Sequence, residues 1–134
     1  MIQSIVDTDI LSMFFRNHPL VTKHFFSYIS DLKKINVSII TYYEIMSGLK
    51  HRDAYKQMEL FQGFVSLNNI IPVTEISAQI SAEIYANLRK KGKPLDDIDI
   101  LIAGIAVSNN FTLITHNTKH FERIDNLRIE DWSV

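Results

Sequence analysis

Near its N-terminus the chain reads Ser4-Ile5-Val6-Asp7-Thr8-Asp9-Ile10-Leu11, an apolar run that leads directly into two acids. The residues from Ile2 to Val6 are rich in β-branched side chains, which predicts a short buried strand. Thr8 or Asp9 is a suitable N-cap for a helix that follows the strand. A carboxylate at the tip of a buried strand destabilises a fold unless it is paired. Asp7 is therefore either a helix cap or part of a functional site.

Strand-like and helix-like segments continue to alternate along the chain. Further strands are predicted within residues 34–40, 70–73, 111–115 and 128–129, and helices from Pro19 and over residues 42–49, 54–67, 74–91 and 97–108. Thr41 and Glu44 have the spacing of a capping box at the start of the helix over residues 42–49. This alternation predicts a three-layer α/β/α fold with a mostly parallel sheet of four or five strands. In such sheets ligands bind beyond the carboxyl ends of the strands, where the strand order reverses.

The composition predicts a single domain over residues 1–134. Hydrophobic residues make up 46% of the chain, and no cysteine is present, so disulfides and thiolate zinc sites are excluded. The longest apolar run, Ile100 to Val107, is too short to span a bilayer, and no export signal is evident. We therefore expect a cytoplasmic protein without a membrane partner. The net charge of −1 does not favour nucleic-acid binding as a whole, but basic residues cluster at Lys50–Arg52, Arg89–Lys93 and Lys119–Arg123.

Three acids stand beside core-forming segments that are far apart in sequence: Asp7, Glu44 and Asp99. Each has a structural interpretation of its own, as a helix cap or as an acid that favours a helix N-terminus. Asp96 is three residues before Asp99, so a helix would bring the two near one face. Hard divalent cations such as Mg²⁺ require oxygen ligands and keep several of their waters. The recurrence of acids at comparable positions in an alternating fold therefore favours a convergent metal site.

Four segments carry a family resemblance: IVDTDIL (5–11), ITYYEIMSGL (40–49), GKPLDDIDILIAGIA (92–106) and FTLITHNTKHFERI (111–124). In this order and spacing they resemble the successive motifs of PIN-domain ribonucleases, and among these the VapC toxins of toxin–antitoxin pairs most closely. The resemblance covers nearly the whole chain, including the closing LRIEDW (127–132). It implies that the α/β/α fold is PIN-like.

The resemblance also implies which residues bind metal and catalyse: Asp7, Glu44 and Asp99. The first motif of the family usually reads Asp-Thr-Asn, and here Asp9 replaces the Asn. Many members have a fourth acid after the late strand, where this chain has Asn117. Asp96, Asp9 or a water would then supply what the fourth acid provides elsewhere.

The function implied is Mg²⁺-dependent or Mn²⁺-dependent hydrolysis of RNA phosphodiester bonds, with tRNA as the substrate suggested by relatives. The hydroxyls of Thr8 and Thr115 are expected to position water or the scissile phosphate. The basic residues expected to hold the RNA backbone are Arg89, Lys90, Lys91 and Lys93. The resemblance further implies a VapB-type antitoxin that covers the acids, and a homodimer.

Two other functions remain open at this stage. A PIN-like module that binds RNA or protein without cleaving is supported by Asn117. A phosphatase of the haloacid dehalogenase type is suggested by Asp7-Thr8-Asp9, although that family needs a strand ahead of its late acids. His116 and His120 are four residues apart, as on a zinc-binding helix face, but they are expected to lie in a loop without a third ligand.

Overall fold

The computed structural model describes residues 1–134 and contains five strands and seven helices. In chain order these are β1 (Ser4–Val6), α1 (Thr8–Phe15), α2 (Pro19–Leu32), β2 (Asn36–Ser38), α3 (Ile39–His51), α4 (Tyr55–Ser66), β3 (Asn69–Ile71), α5 (Glu75–Lys90), α6 (Asp97–Ser108), β4 (Thr112–Ile114), α7 (Thr118–Phe121) and β5 (Ile129–Glu130). None of the helices combines the length and the apolar character that crossing a membrane requires.

The five strands form one parallel sheet in the order β3-β2-β1-β4-β5. The chain builds outward from β1 in one direction and then returns to place β4 on its other side, so the strand order reverses between β1 and β4. Val6 pairs with Ile114 across this junction. The residues that follow these two, Asp7 and Thr115, therefore leave neighbouring carboxyl ends side by side.

Side chains of alternating direction along each strand divide the core into two clusters. Val6 and Ile114 pack with residues of α1 to α4 on one face of the sheet. Ile5 and Leu113, their sequence neighbours, pack with residues of α5, α6 and α7 on the other face. The predicted three-layer α/β/α architecture is thus confirmed, and its sheet has five strands.

The N-caps of α1 and α3 can be compared with the caps proposed from the sequence. Asp7 is the N-cap of α1, in agreement with its interpretation as a helix cap and in place of Thr8 or Asp9, whereas Ser38, rather than Thr41, is the N-cap of α3. The Ser38 hydroxyl accepts a hydrogen bond from the Thr41 amide at 2.9 Å. The predicted capping box of Thr41 and Glu44 is therefore wrong. Because β2 ends at Ser38 and α3 begins at the next residue, Thr41 already lies within the first turn of the helix.

Helices α5 and α6 pack closely against each other, and their approach depends on Gly104. A Cβ added at Gly104 would lie 1.9 Å from Ser81 Oγ and 2.6 Å from the Ser77 carbonyl oxygen. Ser81 Oγ in turn donates to the carbonyl of Ile100 at 2.9 Å. Thr74 caps α5, and Ser77 completes the capping box. The absence of a side chain at Gly104 thus allows α6 to pack closely against α5.

Candidate functional site

Acids from separate segments meet at the carboxyl edge of the sheet, beside the junction of β1 and β4. Asp7 directly follows β1, Glu44 lies in the second turn of α3, and Asp99 lies in the first turn of α6. The charge of Asp99 acts on Asp7, and the charge of Glu44 acts on Asp99. The structure therefore brings together the three acids that the sequence singled out, at the position where parallel sheets bind ligands.

Asp7 is the most buried of these acids, with 6% of its surface exposed. One carboxylate oxygen accepts from the Thr8 amide at 2.8 Å, and the other accepts from the Thr115 hydroxyl at 2.9 Å. Burial, followed by the nearby charge of Asp9, raises the pKa of Asp7 to about 7 despite these hydrogen bonds, and Asp99 adds to the rise. The ionised carboxylate is thus held in place in surroundings that oppose its charge.

Glu44 is connected to the Asp7 loop through threonine hydroxyls. Thr8 Oγ1 donates to Glu44 Oε1 at 2.6 Å. The hydroxyls of Thr8 and the fully buried Thr41 are hydrogen-bonded at 3.0 Å. Thr8 therefore orients Glu44 toward the acids, and Thr41 supports this arrangement from the interior of α3. The sequence identified Thr41 only as a cap, since its spacing gave no sign of a contact with α1.

Asp9 and Asp99 complete the negative edge. Asp9 Oδ1 accepts from the Ile10 amide at 2.7 Å, and Asp9 Oδ2 accepts from the His116 amide at 3.1 Å. Burial is the main cause that raises the pKa of Asp9 and of Asp99. For Asp99 the charges of Asp96 and Glu44 raise the pKa further, whereas the nearby His120 lowers it.

No lysine or arginine offsets this cluster of acids. The three ion pairs of the structure join Met1 to Asp31, Lys91 to Asp125 and His116 to Asp131, and none includes Asp7, Asp9, Glu44 or Asp99. An all-oxygen donor set with unbalanced negative charge suits a hard divalent cation. As placed, however, no three acidic or imidazole side chains are close enough to hold one ion between them. The donors therefore fit such an ion in type and charge, but the acids would have to move closer together to bind it.

The other two metal candidates, Asp96 and Asn117, lie beside these acids. Asp96 is exposed and occupies the N-cap position of α6 without a side-chain capping bond. The Asn117 amide donates to Thr115 Oγ1 at 3.0 Å, and the Asn117 side chain contacts His120 Nδ1 at 2.7 Å. The oxygen and nitrogen of an amide are alike in shape, so this contact also fits the Asn117 oxygen facing Nδ1–H. Asn117 thus joins β4 to the short helix α7, where the sequence analysis expected a loop.

The basic cluster predicted to hold RNA is partly engaged with the protein itself. The Arg89 guanidinium lies over the Tyr85 ring at 4.7 Å, and Lys91 forms an ion pair with Asp125 at 3.4 Å. Lys90 and Lys93 are exposed. No ion pair or hydrogen bond joins any of the four to the acids, so their role in binding substrate stays a prediction.

The C-terminal segment is connected to the site through a contact that the sequence did not predict. The Asp131 carboxylate lies 3.0 Å from His116 Nδ1, and the Ser133 hydroxyl donates to Asp131 at 2.6 Å. Although burial raises it, hydrogen bonds from Ser133 and His116 together lower the pKa of Asp131. Since the His116 amide binds Asp9, this contact holds the loop after β4 against the acids. His116 and His120 have different partners, because His116 Nδ1 contacts Asp131 and His120 Nδ1 contacts Asn117.

The chain matches known proteins along most of its length. Residues 4–127 match the family model of the PIN domain. The chain is 31% identical to the tRNA(fMet)-specific endonuclease VapC of Shigella flexneri, covering 99% of this chain and 100% of that protein. It is 33% identical to ribonuclease VapC1 of Haemophilus influenzae strain R2866, covering 96% and 97%. Among solved structures, DNA-bound VapBC from Salmonella typhimurium superposes with a TM-score of 0.88 at 30% identity, covering 98% of this chain and 99% of that one.

Proposed function

Because this chain belongs to the PIN-domain family, and within it to the VapC group, we propose that it is a toxin endoribonuclease that hydrolyses RNA with the aid of Mg²⁺ or Mn²⁺. The observation that carries the proposal is the meeting of Asp7, Glu44 and Asp99 at the carboxyl edge of the sheet without a balancing cation. The absence of a strand between α5 and α6 removes the support for a haloacid dehalogenase phosphatase.

The chain's own residues have distinct tasks in this function. Asp7, Glu44 and Asp99 bind the ion or ions, and Thr115 and Thr8 hold two of these carboxylates in position. When bound, the ion makes attacking water more acidic and stabilises negative charge on the phosphate in the transition state. The acids must be ionised to bind it, so the raised pKa of Asp7 makes metal binding depend on pH.

We also propose the substrate class and the partners from the relatives. The Shigella relative is named a tRNA(fMet)-specific endonuclease, and this supports a tRNA substrate in the cytoplasm for the present chain. Several similar structures are VapBC complexes, and this supports a VapB-type antitoxin as partner. The predicted homodimer is tested by sedimentation equilibrium of the purified chain.

RNA cleavage by the purified protein tests the proposed function. The wild type is incubated with total tRNA in Mg²⁺, in Mn²⁺ and in EDTA, beside Asp7→Asn and the control Asp97→Asn, which changes an exposed acid in the same turn as Asp99. We expect metal-dependent cleavage by the wild type and the control, and none by Asp7→Asn. Binding of RNA without cleavage under all conditions would instead support the non-catalytic module, and equal cleavage in EDTA would refute the metal site.

A further inference from the structure

A groove of about 450 Å³ opens beside the acid cluster, between α1, α3 and α4. Thr8 and Glu44 line one end of it, so the groove and the candidate metal site share a border. Its apolar lining includes Ile45, Leu49 and Phe61. A chain that occupies this groove therefore reaches Glu44 directly.

Two arginines line the same groove from the ends of adjacent helices. Arg16 follows α1 and Arg52 follows α3, and both are exposed. Neither guanidinium takes part in an ion pair or a side-chain hydrogen bond of the protein. Arg52 Nη1 lies over Gly48, 3.5 Å from where a Cβ would stand, so the guanidinium reaches back along the side of α3.

The acid nearest to Arg52 in sequence does not neutralise it. The Asp53 carboxylate accepts a hydrogen bond from the Tyr55 hydroxyl at 3.2 Å instead. Two unpaired guanidiniums in a groove are complementary to an anionic chain, because planar N–H donors bind phosphate oxygens in pairs. In this respect they differ from Arg89 and Lys91, which already have partners within the protein.

We propose that Arg16 and Arg52 bind backbone phosphates of single-stranded RNA and direct the strand along this groove to the acids. This rests on the proposed function, because the acids at the end of the groove are the cleavage site. The apolar lining would contact sugar and base faces without selecting a sequence. The structural alternative is that each arginine only stabilises the C-terminus of its own helix through the helix dipole.

Salt dependence of RNA binding distinguishes these two roles. The Asp7→Asn protein, expected to bind without cleaving, is titrated with a fluorescent single-stranded RNA at increasing KCl, alone and with Arg16→Gln or Arg52→Gln added. Each lost phosphate contact should lower the magnitude of the slope of log K against log salt by about 0.7. The loss of affinity between about 50 and about 200 mM KCl then shrinks by about 2.6-fold per contact.

Lys34→Gln is the matched control, because this exposed cation precedes β2 at the opposite edge of the sheet. It should leave the slope unchanged. An unchanged slope in the Arg16→Gln, Arg52→Gln double variant, with or without a lower melting temperature, would overturn the proposal. So would a double variant that binds RNA normally but loses affinity for an acidic peptide, since the groove would then be a protein-binding surface.

The groove proposal and the proposed function can be refuted separately. Loss of slope in a protein whose wild type does not cleave RNA would refute the proposed function while supporting the groove. Metal-dependent cleavage with an unchanged slope would do the reverse. Arg16→Lys and Arg52→Lys, which keep the charge but not the paired donors, should retain the slope and bind RNA more weakly.

Discussion

Replacing Asp7 with Asn should stabilise the metal-free protein, although it removes a side chain that the proposed reaction needs. The carboxylate is buried, and its pKa is raised from 3.8 to about 7 by burial and by the charges of Asp9 and Asp99. Ionised Asp7 therefore destabilises the fold whenever no cation compensates for it. Asn has nearly the same shape and keeps an oxygen that can accept from the Thr8 amide.

The magnitude follows from the size of the pKa shift. A rise from 3.8 to about 7 corresponds to about 4 kcal/mol of destabilisation by the ionised form, at about 1.36 kcal/mol per pKa unit. Asn has one accepting oxygen and one NH2 group, so it cannot accept from both the Thr8 amide and the Thr115 hydroxyl, and the lost hydrogen bond costs about 1–2 kcal/mol. The net gain in the free energy of unfolding is therefore about 2 kcal/mol at pH values above the folded pKa.

The sign of the pH dependence is equally specific. Below the unfolded pKa of 3.8 the acid is neutral in both states, so the wild type has no penalty. The penalty grows as the pH rises toward about 7 and is then constant. Urea denaturation in EDTA at about pH 5 and about pH 8 should therefore show a larger advantage of Asp7→Asn at the higher pH.

Asp97→Asn is the control, because this acid is exposed at the start of α6 and should change stability by no more than about 0.5 kcal/mol. A lower stability of Asp7→Asn than of the wild type at the higher pH would refute the reasoning, as would an advantage that does not vary with pH. Saturating Mg²⁺ should remove most of the difference, since an ion that binds only the folded wild type stabilises it.

Two further predictions concern the support of Asp7 and the packing behind the site. Thr115→Val removes the hydroxyl that donates to Asp7, so the pKa of Asp7 should rise further and the pH profile of cleavage should move upward; an unchanged profile would contradict this. Gly104→Ala places a Cβ 2.6 Å from the Ser77 carbonyl oxygen and should destabilise the protein by about 1–3 kcal/mol in urea denaturation. Gly63→Ala, in open space on α4, should instead stabilise it by up to about 1 kcal/mol, and equal effects of the two changes would show that close packing is not the cause.

The arrangement of strands and helices could be predicted because the hydrophobic pattern agreed with the positions of the glycine and proline residues that mark turns. The predicted helix over residues 97–108 is α6 with the same ends, and Gly92 and Pro94 mark the turn before it. The N-caps were harder to predict, because several residues suitable as caps follow one another near the end of each strand. Asp7 and Ser38 are the N-caps because β1 ends at Val6 and β2 ends at Ser38. The exact end of each strand depends on its pairing with strands that are distant in sequence.

The acids of the site were predictable for a topological reason, whereas the cations were not. Parallel strands bring their carboxyl ends to one edge, so Asp7 and Glu44, which follow the neighbouring strands β1 and β2, come near each other. Whether a basic residue is free depends on side chains from elsewhere in the chain. Lys91 is engaged by Asp125, 34 residues away, whereas Arg52 has no such partner, and nothing in the two local sequences distinguishes them.

The backbone provides part of the positive charge that the acids lack. Amides of Thr8, Ile10 and His116 donate to Asp7 and Asp9, and the N-termini of α1 and α6 face the same edge. These dipoles stabilise the ionised acids, yet burial and mutual repulsion still raise the pKa of Asp7 to about 7. A fold that used these acids only as helix caps would gain nothing from burying them together. A divalent cation would compensate the negative charge that the backbone dipoles leave unbalanced. Metal binding and folding stability should therefore be coupled in this protein.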